Sequence, residues 1–309
     1  MKLFFIPYMC LVFQFSSCIK EVNVAIPQFP KKVVINSLFC PDSILKIHVS
    51  LSEGIESDIQ IVENAQIRLY ENDIFIQNIS YLSKGWYSSN YYPKAGMKYK
   101  IDVNIEGYDI VTAESLIPEN PLISAFTCQL LEGFDLDWGS HNSNVKLIFK
   151  DFENYSNFYE LSFFSFLDNV NSAGLADSPV MNHMSDLSIL ADSELEFKPN
   201  QFFFSDNLFN GLEKTVFLNY LGGTYIDPVN NVIKNSIFYA LFKTVSPEYY
   251  NFRKSWTKHV YNQDTDIHND DPIVLLFKGD PIEMYTNVNG GYGIFAGYNQ
   301  QYKEVVYIP

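Results

Sequence analysis

Residues 98–114 decide the fold most clearly, and they read KYKIDVNIEGYDIVTAE. Apolar side chains occupy every second position from Tyr99 to Ile105, and polar ones occupy the positions between them. This alternation predicts a strand with one buried and one exposed face. Gly107 permits a turn, so residues 108–114 are expected to return as the antiparallel partner of a β-hairpin.

The same rhythm extends over residues 31–118. Short strands are predicted there, besides the hairpin, at 33–39, 45–51, 65–70, 74–79 and 86–89, with a turn at Asn72-Asp73. About seven short strands at this spacing are typical of an immunoglobulin-like β-sandwich. We therefore expect residues 31–118 to form such a sandwich.

A second β domain is expected at residues 122–309. Residues 117–121 read IPENP, and because proline cannot donate to a strand ladder, this segment is expected to be a stiff hinge between domains. Further strands are predicted at 145–149, 158–167, 215–221, 236–245, 273–277 and 303–308. The fold class is thus mainly β, with an antiparallel second domain that is either a sandwich or barrel-like.

One amphipathic helix is predicted at about 246–262, inside the second domain. Ser246 can cap it, Pro247 suits its first turn, and Glu248 complements the helix dipole. Apolar residues then recur at helical spacing, namely Tyr249, Phe252, Trp256 and Val260. We expect this stripe to pack against the second sheet.

The N-terminus has the features of a secretion signal. Lys2 precedes an apolar run at residues 3–15, which is too short to span a bilayer as a helix. The run ends in Phe15-Ser16-Ser17-Cys18, which resembles the lipobox of bacterial lipoproteins. The resemblance implies removal of a signal peptide at 1–17, a diacylglycerol on the Cys18 thiol, and an acyl chain such as palmitate on the new amino group. The alternative is an ordinary secreted protein in which this cysteine occurs by chance.

Residues 18–30 are expected to be a spacer between the membrane and the first sandwich, because Pro27 and Pro30 interrupt any regular pattern. No Asp follows Cys18 directly, which by resemblance to lipoprotein sorting in Gram-negative bacteria implies the outer membrane. Lys20-Glu21 resembles a short form of the surface-export signal of Bacteroidota. The cell surface is therefore favoured over the periplasmic face.

The charge balance excludes one class of partner. The chain has 36 acidic and 21 basic residues, which give a net charge of −15. Such a charge repels the phosphate backbone of DNA and RNA. Nucleic acid is therefore excluded as a partner.

Two cysteines remain when Cys10 leaves with the signal peptide and Cys18 carries lipid. These two, Cys40 and Cys128, could form a disulfide or could stay as two buried free thiols. Free thiols are favoured because no spacing motif supports a bridge. No zinc-binding pattern occurs in the sequence.

Two groups of acidic residues are candidates for chemistry. Residues 264–271 contain four Asp and could hold Ca²⁺, but they lack the glycine and the closing Glu of an EF-hand, so a solvated acidic loop is favoured. Asp135 and Asp137 beside Trp138 could flank a sugar ring. The neighbouring glycines favour a turn there, and nothing fixes a second carboxylate at the separation that glycoside hydrolysis requires.

The glycine-rich stretch 291–297, GYGIFAG, is close to a dinucleotide-binding fingerprint. No strand-turn-helix unit surrounds it, so we favour a glycine-rich bend that enters the final strand, with Tyr292, Phe295 and Tyr298 packed beneath it. The five histidines are isolated from one another, and no nucleophile motif occurs. The sequence therefore predicts no catalytic, cofactor-binding or metal-binding residue, and Cys18 is the single predicted attachment site.

Four segments carry a resemblance to a known family. They are PKKVVINSLFCPDS at 30–43, NAQIRLYEN at 64–72, SPEYYNFRKSW at 246–256 and NVNGGYGIFAGY at 287–298. Together they resemble the Bacteroidota lipoproteins that contain domain of unknown function 4249, over essentially the whole mature chain. The resemblance implies an outer-membrane lipoprotein that is often encoded near TonB-dependent transporters.

Two functions follow as expectations. The first is a non-enzymatic binding or accessory lipoprotein whose sandwich loops contact a TonB-dependent transporter or a glycan or peptide ligand. The alternative is a surface hydrolase that acts on glycan or peptide. A pocket that joins Asp135, Asp137 or the acidic residues 264–271 with a histidine would favour the hydrolase.

Overall fold

A computed structural model describes residues 30–54, 58–135, 140–153, 155–165, 178–179, 182–184, 201–221, 224–227, 229–235, 237–263 and 282–309. The chain is mainly β, as predicted, with one helix among the described elements. The strands are β1 Val33–Phe39, β2 Lys46–Leu51, β3 Gln60–Ile61, β4 Gln66–Glu71, β5 Ile74–Ser83, β6 Trp86–Ser88, β7 Lys98–Asn104, β8 Val111–Leu116, β9 Leu122–Asp135, β10 Ser140–Lys150, β11 Phe158–Ser165, β12 Ser178–Pro179, β13 Asn182–Met184, β14 Gln201–Ser205, β15 Glu213–Leu221, β16 Thr224–Ile226, β17 Ile233–Asn235, β18 Phe238–Val245, β19 Tyr292–Glu304 and β20 Val306–Ile308. The helix α1, Pro247–Gln263, lies between β18 and β19.

The first eight strands form the predicted immunoglobulin-like sandwich. One layer has the order β1-β2-β6-β5, and the other has the order β5-β4-β7-β8, so the long strand β5 belongs to both. This is the strand order of the two layers of an immunoglobulin-like sandwich. The buried residues between the layers, among them Ile35, Ile47, Leu69 and Ile101, form the N-terminal core.

Both predicted turns of this sandwich are confirmed. Strands β7 and β8 pair antiparallel, with Ile101 opposite Ala113, and Gly107 in the connection has a φ of 85°. Asn72 and Asp73, between β4 and β5, have φ values of 47° and 65°. Two successive positive φ values are typical of the two-residue hairpin turn, which Asn and Asp tolerate.

A tyrosine corner supports the same assignment. Tyr99 lies at the start of β7, and its hydroxyl accepts a hydrogen bond of 2.8 Å from the backbone N–H of Lys94. The same hydroxyl donates to Glu71 Oε2 at 2.5 Å. A tyrosine at this corner, bonded to backbone a few residues upstream, is a hallmark of immunoglobulin-like sandwiches.

The strands after residue 121 enclose a second core. A five-stranded sheet of order β13-β15-β10-β9-β20 faces the layer that contains β14, β11 and β18. The C-terminal core between them is rich in aromatic side chains, and it includes Phe126, Phe149, Tyr159, Phe204 and Phe242. In the part of the chain that the structure describes, neither sheet closes on itself, so this segment is a sandwich rather than barrel-like.

Strand β19 connects the two sandwiches. Its first half pairs parallel with β1, from Val34 opposite Tyr292 to Phe39 opposite Gly297. Its second half pairs antiparallel with β18, so one large sheet runs through both sandwiches. This parallel pair, like that of β20 with β9, was not predicted, because its partners are far apart in the sequence. Residues 31–309 form one compact unit, and the division into domains at 31–118 and 122–309 stays a prediction.

The connecting segment 117–121 is packed rather than free. Ile117 is buried, and its backbone bonds to Met97 O and to the N–H of Gly96. Gln301 donates to Pro121 O at 2.8 Å. The expected hinge is therefore held by the turn before β7 and by β19.

Several predictions fall on residues that lie outside those described. They are the signal peptide 1–17, Cys18, the spacer up to residue 29, and the strand at 273–277. None of the helical residues described here forms a segment long and apolar enough to cross a bilayer.

Candidate functional site

The helix α1 starts as predicted and packs onto the large sheet. The Ser246 hydroxyl accepts a hydrogen bond of 3.2 Å from the N–H of Tyr249, which is N-terminal capping. Tyr249 and Tyr250 are buried against the face of β19 that carries Ile294 and Ala296. The helix predicted at 246–262 is thus confirmed. Tyr250, which the predicted stripe omitted, contributes more to the contact than Trp256, which is only half-buried.

Three elements, β8, β19 and α1, meet at one buried serine. The hydroxyl of Ser115, on β8, accepts a hydrogen bond of 3.1 Å from the N–H of Gly297 on β19. It also lies 3.0 Å from Ser246 Oγ and 2.8 Å from Glu248 Oε2, at the start of α1. We call these four residues, Ser115, Ser246, Glu248 and Gly297, the joint.

The glycines of the 291–297 stretch allow close contact between backbones. A Cβ on Gly297 would lie 2.5 Å from Leu116 O, and a Cβ on Gly293 would lie 2.0 Å from Ile35 O. Gly293 also has a φ of 97°, which favours glycine. The stretch is therefore part of a strand that neighbouring strands approach closely, and the dinucleotide-binding interpretation has no support here.

The predicted bend before the final strand is wrong in one respect. β19 begins at Tyr292, inside the glycine-rich stretch, and not near residue 303. Phe295 is buried and Tyr298 is half-buried, as expected, whereas Tyr292 remains 45% exposed. Tyr292 lies at the start of the strand and on its outer face, which explains its exposure.

Asn287 fixes the approach to β19. Its side-chain amide donates to Phe295 O at 2.7 Å and accepts from the N–H of Phe295 at 3.0 Å. It also donates to Glu114 O of β8 at 2.9 Å. One side chain thereby replaces the backbone pairing that a further strand would supply. Two of the four segments that carry the family resemblance, 246–256 and 287–298, thus contribute to holding the sandwiches together.

A buried ion pair lies beneath the helix. Glu160, on β11, is 1% exposed, and its two carboxylate oxygens accept from Lys243 Nζ at 2.9 Å and from the Tyr249 hydroxyl at 2.5 Å. Burial, together with the charge of Glu160, raises the pKa of Tyr249 well above its ordinary value, so the phenol stays a donor. Both oxygens of Glu160 therefore have structural partners.

Two more buried carboxylates order loops at one end of the second sandwich. Asp151 accepts from the Tyr159 hydroxyl and, at 2.7 Å, from the N–H of Gly211. Asp206 accepts from the N–H of Asn157 at 2.7 Å, and its other oxygen has no hydrogen-bond partner. Burial, with the nearby charge of Asp151, raises the pKa of Asp206. Sequence reasoning missed both, because an isolated Asp in a loop has no local signature.

The predicted candidate residues are not tested by the part of the chain that the structure describes. The side chain of Asp135, together with Asp137, Trp138 and the acidic residues 264–271, lies outside the described residues, as does Cys18. Over the described ranges, no three His, Cys, Asp or Glu side chains come close enough to hold a metal ion.

Two cysteines and two histidines among the described residues have structural surroundings. Cys40 and Cys128 are both free and buried, which confirms the favoured alternative to a disulfide. His48 packs edge-on against Trp86, with ring centroids 5.0 Å apart. His259 Nδ1 lies 2.9 Å from Ile282 O. None of these contacts resembles a nucleophile and base arrangement.

Comparison with known proteins supplies the family. No curated protein matches the chain. A family model described as "Domain of unknown function (DUF4249)" matches residues 19–304, which include the joint, the helix, the first sandwich and all of the second except β20. The chain therefore belongs to the DUF4249 family.

Proposed function

We propose that this protein is a non-enzymatic outer-membrane lipoprotein that is anchored through Cys18 and serves as a binding or accessory partner of a TonB-dependent transporter. The observation that carries the proposal is the joint. There the side chains of Ser246 and Glu248 and the backbone N–H of Gly297 all contact the Ser115 hydroxyl, and so stabilise a scaffold. A scaffold of two linked sandwiches presents loops for recognition, which is the usual role of such folds.

The position of the first strand fits an anchored protein. Cys18 precedes β1 by only fifteen residues, so an acyl chain on its thiol would hold the N-terminal sandwich close to the membrane. The net charge of −15 keeps the anchored domain soluble and disfavours nucleic acid as a partner. Glycans, peptides and the loops of a transporter remain the ligand classes for the sandwich loops.

Co-purification tests the proposal. A tagged wild-type chain, extracted with its membrane in mild detergent, is expected to recover a TonB-dependent transporter from the outer membrane. The Cys18→Ala variant is the matched control, because it keeps the fold and loses the anchor. Recovery of the wild-type chain alone, without a transporter, would contradict the proposed partner.

The membrane side is tested separately. A reagent that labels lysine amines and does not cross the outer membrane should modify the chain in intact cells, since exposed lysines such as Lys84 are available. Labelling only after permeabilisation would place the protein on the periplasmic face.

A further inference from the structure

The outer face of the first sandwich carries a row of side chains at the end where the chain enters. Strand pairing places Tyr292 beside Val34, Val34 beside Ser50, and Ser50 beside Ile61. Val33 and Ile35 point into the N-terminal core, so Val34 and its lateral partners point outwards. Tyr292 is 45% exposed and Ile61 is 40% exposed, although both are large and apolar.

A second row lies two residues further along the same face. His48 is paired with Asn36 on one side and with Trp86 on the other. Trp86 is 43% exposed, and the His48 ring supports its edge. His48 and Ser50 are two positions apart on β2, so their side chains share a face. Their partners, Trp86 and Ile61, therefore point to the same side of the sheet. We call Val34, Ile61, Trp86 and Tyr292 the tether face.

One lysine accompanies the tether face. Lys32 Nζ lies 4.7 Å from the centre of the Tyr292 ring. An exposed Trp and Tyr with a neighbouring lysine is a side-chain set that suits the headgroup region of a bilayer, where amphipathic rings and long cationic side chains are stable.

The short segment between Cys18 and Lys31 indicates that the tether face lies close to the lipid surface. Lys31 follows Cys18 by thirteen residues, and a chain of that length reaches at most about 45 Å even when fully extended. The tether face lies beside Lys32, where the chain enters the sandwich, and so it is a part of the sandwich that the anchor keeps near the lipid.

We propose that the tether face rests on the headgroup region of the membrane and so fixes the orientation of the N-terminal sandwich relative to the bilayer. The inference rests on the proposed lipid anchor at Cys18. The occupant is the lipid surface itself, and a protein bound to the same face is the alternative that the experiment excludes.

Quenching of tryptophan emission by brominated lipid tests this orientation. The lipidated full chain is reconstituted into phosphatidylcholine vesicles, with and without bromine on the acyl chains. We expect bromine to reduce the emission of the wild type, and we expect that reduction to be lost in Trp86→Phe and retained in Trp256→Phe. Trp256 lies on α1 and is not one of the tether-face residues, which makes it the matched control. Thermal unfolding of both variants checks that each is folded.

The outcomes separate the two proposals. Flotation with the vesicles reports the anchor, whereas quenching reports the tether face. A chain that floats but shows the same quenching with and without Trp86 contradicts the inference about the face and leaves the anchor standing. A chain that carries no acyl group and does not float contradicts both. No protein partner is present in the vesicles, so quenching that depends on Trp86 excludes a protein as its cause.

Discussion

The Ser115 hydroxyl accepts a hydrogen bond of 3.1 Å from the N–H of Gly297, although 182 positions separate the two residues in the sequence. Ser115 belongs to the last strand of the first sandwich, and Gly297 belongs to the strand that continues into the second. The bond is buried, so neither group has water as a substitute partner. This contact therefore links the last strand of the first sandwich to the strand that both sandwiches share.

Removing the Ser115 hydroxyl should destabilise the whole fold. Ser115→Ala leaves the buried N–H of Gly297 without an acceptor, which costs about 1–3 kcal/mol of unfolding free energy. Denaturant unfolding measures this, with Ser80→Ala as the control because Ser80 is an exposed residue of β5. Equal stability of the two variants would show that the joint contributes nothing.

Ser246→Ala should act through the same joint. Loss of the N-terminal cap costs about 1 kcal/mol by itself. Because Ser246 Oγ lies 3.0 Å from Ser115 Oγ, the double variant should cost less than the sum of the single ones. Additive effects in the denaturant series would mean that the two hydroxyls act independently.

Close contact between β1 and β19 predicts a second stability difference. Gly293→Ala and Gly107→Ala both place a side chain at a positive φ, of 97° and 85°. Only Gly293 has a backbone oxygen, that of Ile35, within clashing distance of the new Cβ. Thermal unfolding should therefore show Gly293→Ala to be less stable than Gly107→Ala, by roughly 2 kcal/mol. Equal losses would contradict the close packing of the glycine-rich strand.

Because Glu160 is buried, removing its cation alone should destabilise the fold more than removing both charges of the ion pair. Lys243→Met leaves a buried carboxylate without its cation and should cost about 3–5 kcal/mol. Adding Glu160→Gln to this variant removes the unpaired charge and should recover part of the loss. Chemical denaturation compares the three chains. A double variant that is less stable than Lys243→Met alone would show that Glu160 contributes through contacts other than the ion pair.

Asp206 and Asp227 predict opposite effects of pH on stability. The pKa of Asp206 is raised by burial, so its neutral form favours the fold, and its contribution is lost as pH rises above the ordinary value near 4. Asp206→Asn should therefore raise the melting temperature at pH 7, with a gain that shrinks towards pH 4.

For Asp227, the effect of pH on stability has the opposite sign. The hydrogen bond from Lys234 lowers the pKa of Asp227 to about 2, so its stabilising effect is present at neutral pH and is lost as pH falls towards that value. Asp227→Asn should lower the melting temperature at pH 7. The same sign for both variants in a pH series of thermal melts would contradict the assigned environments.

The sequence predicts elements whose signals are local. The β7–β8 hairpin follows from strict alternation around Gly107, and α1 follows from Ser246, Pro247 and Glu248 at its start. In each case the residues that decide the structure lie within a few positions of one another. The local sequence pattern and the tertiary contacts then favour the same structure.

Strands that lack a regular alternation of apolar and polar residues were not predicted from the sequence. β9 contains a register shift opposite Ile148 and Phe149, which breaks its period of two. β14 is buried on both faces, so its run of Phe202, Phe203 and Phe204 shows no alternation. The joint was missed for another reason, since its serines and glycine meet only after β19 has crossed between the sandwiches.

Acyl labelling at Cys18 tests the central claim, a membrane-anchored accessory lipoprotein, most directly. Cells that express the tagged chain are grown with a fatty acid that carries an alkyne, and label on the purified protein is measured. We predict label on the wild type and on Cys10→Ala, whose substitution lies in the predicted signal peptide, and no label on Cys18→Ala. Label that persists in Cys18→Ala would contradict the anchor and every proposal that rests on it.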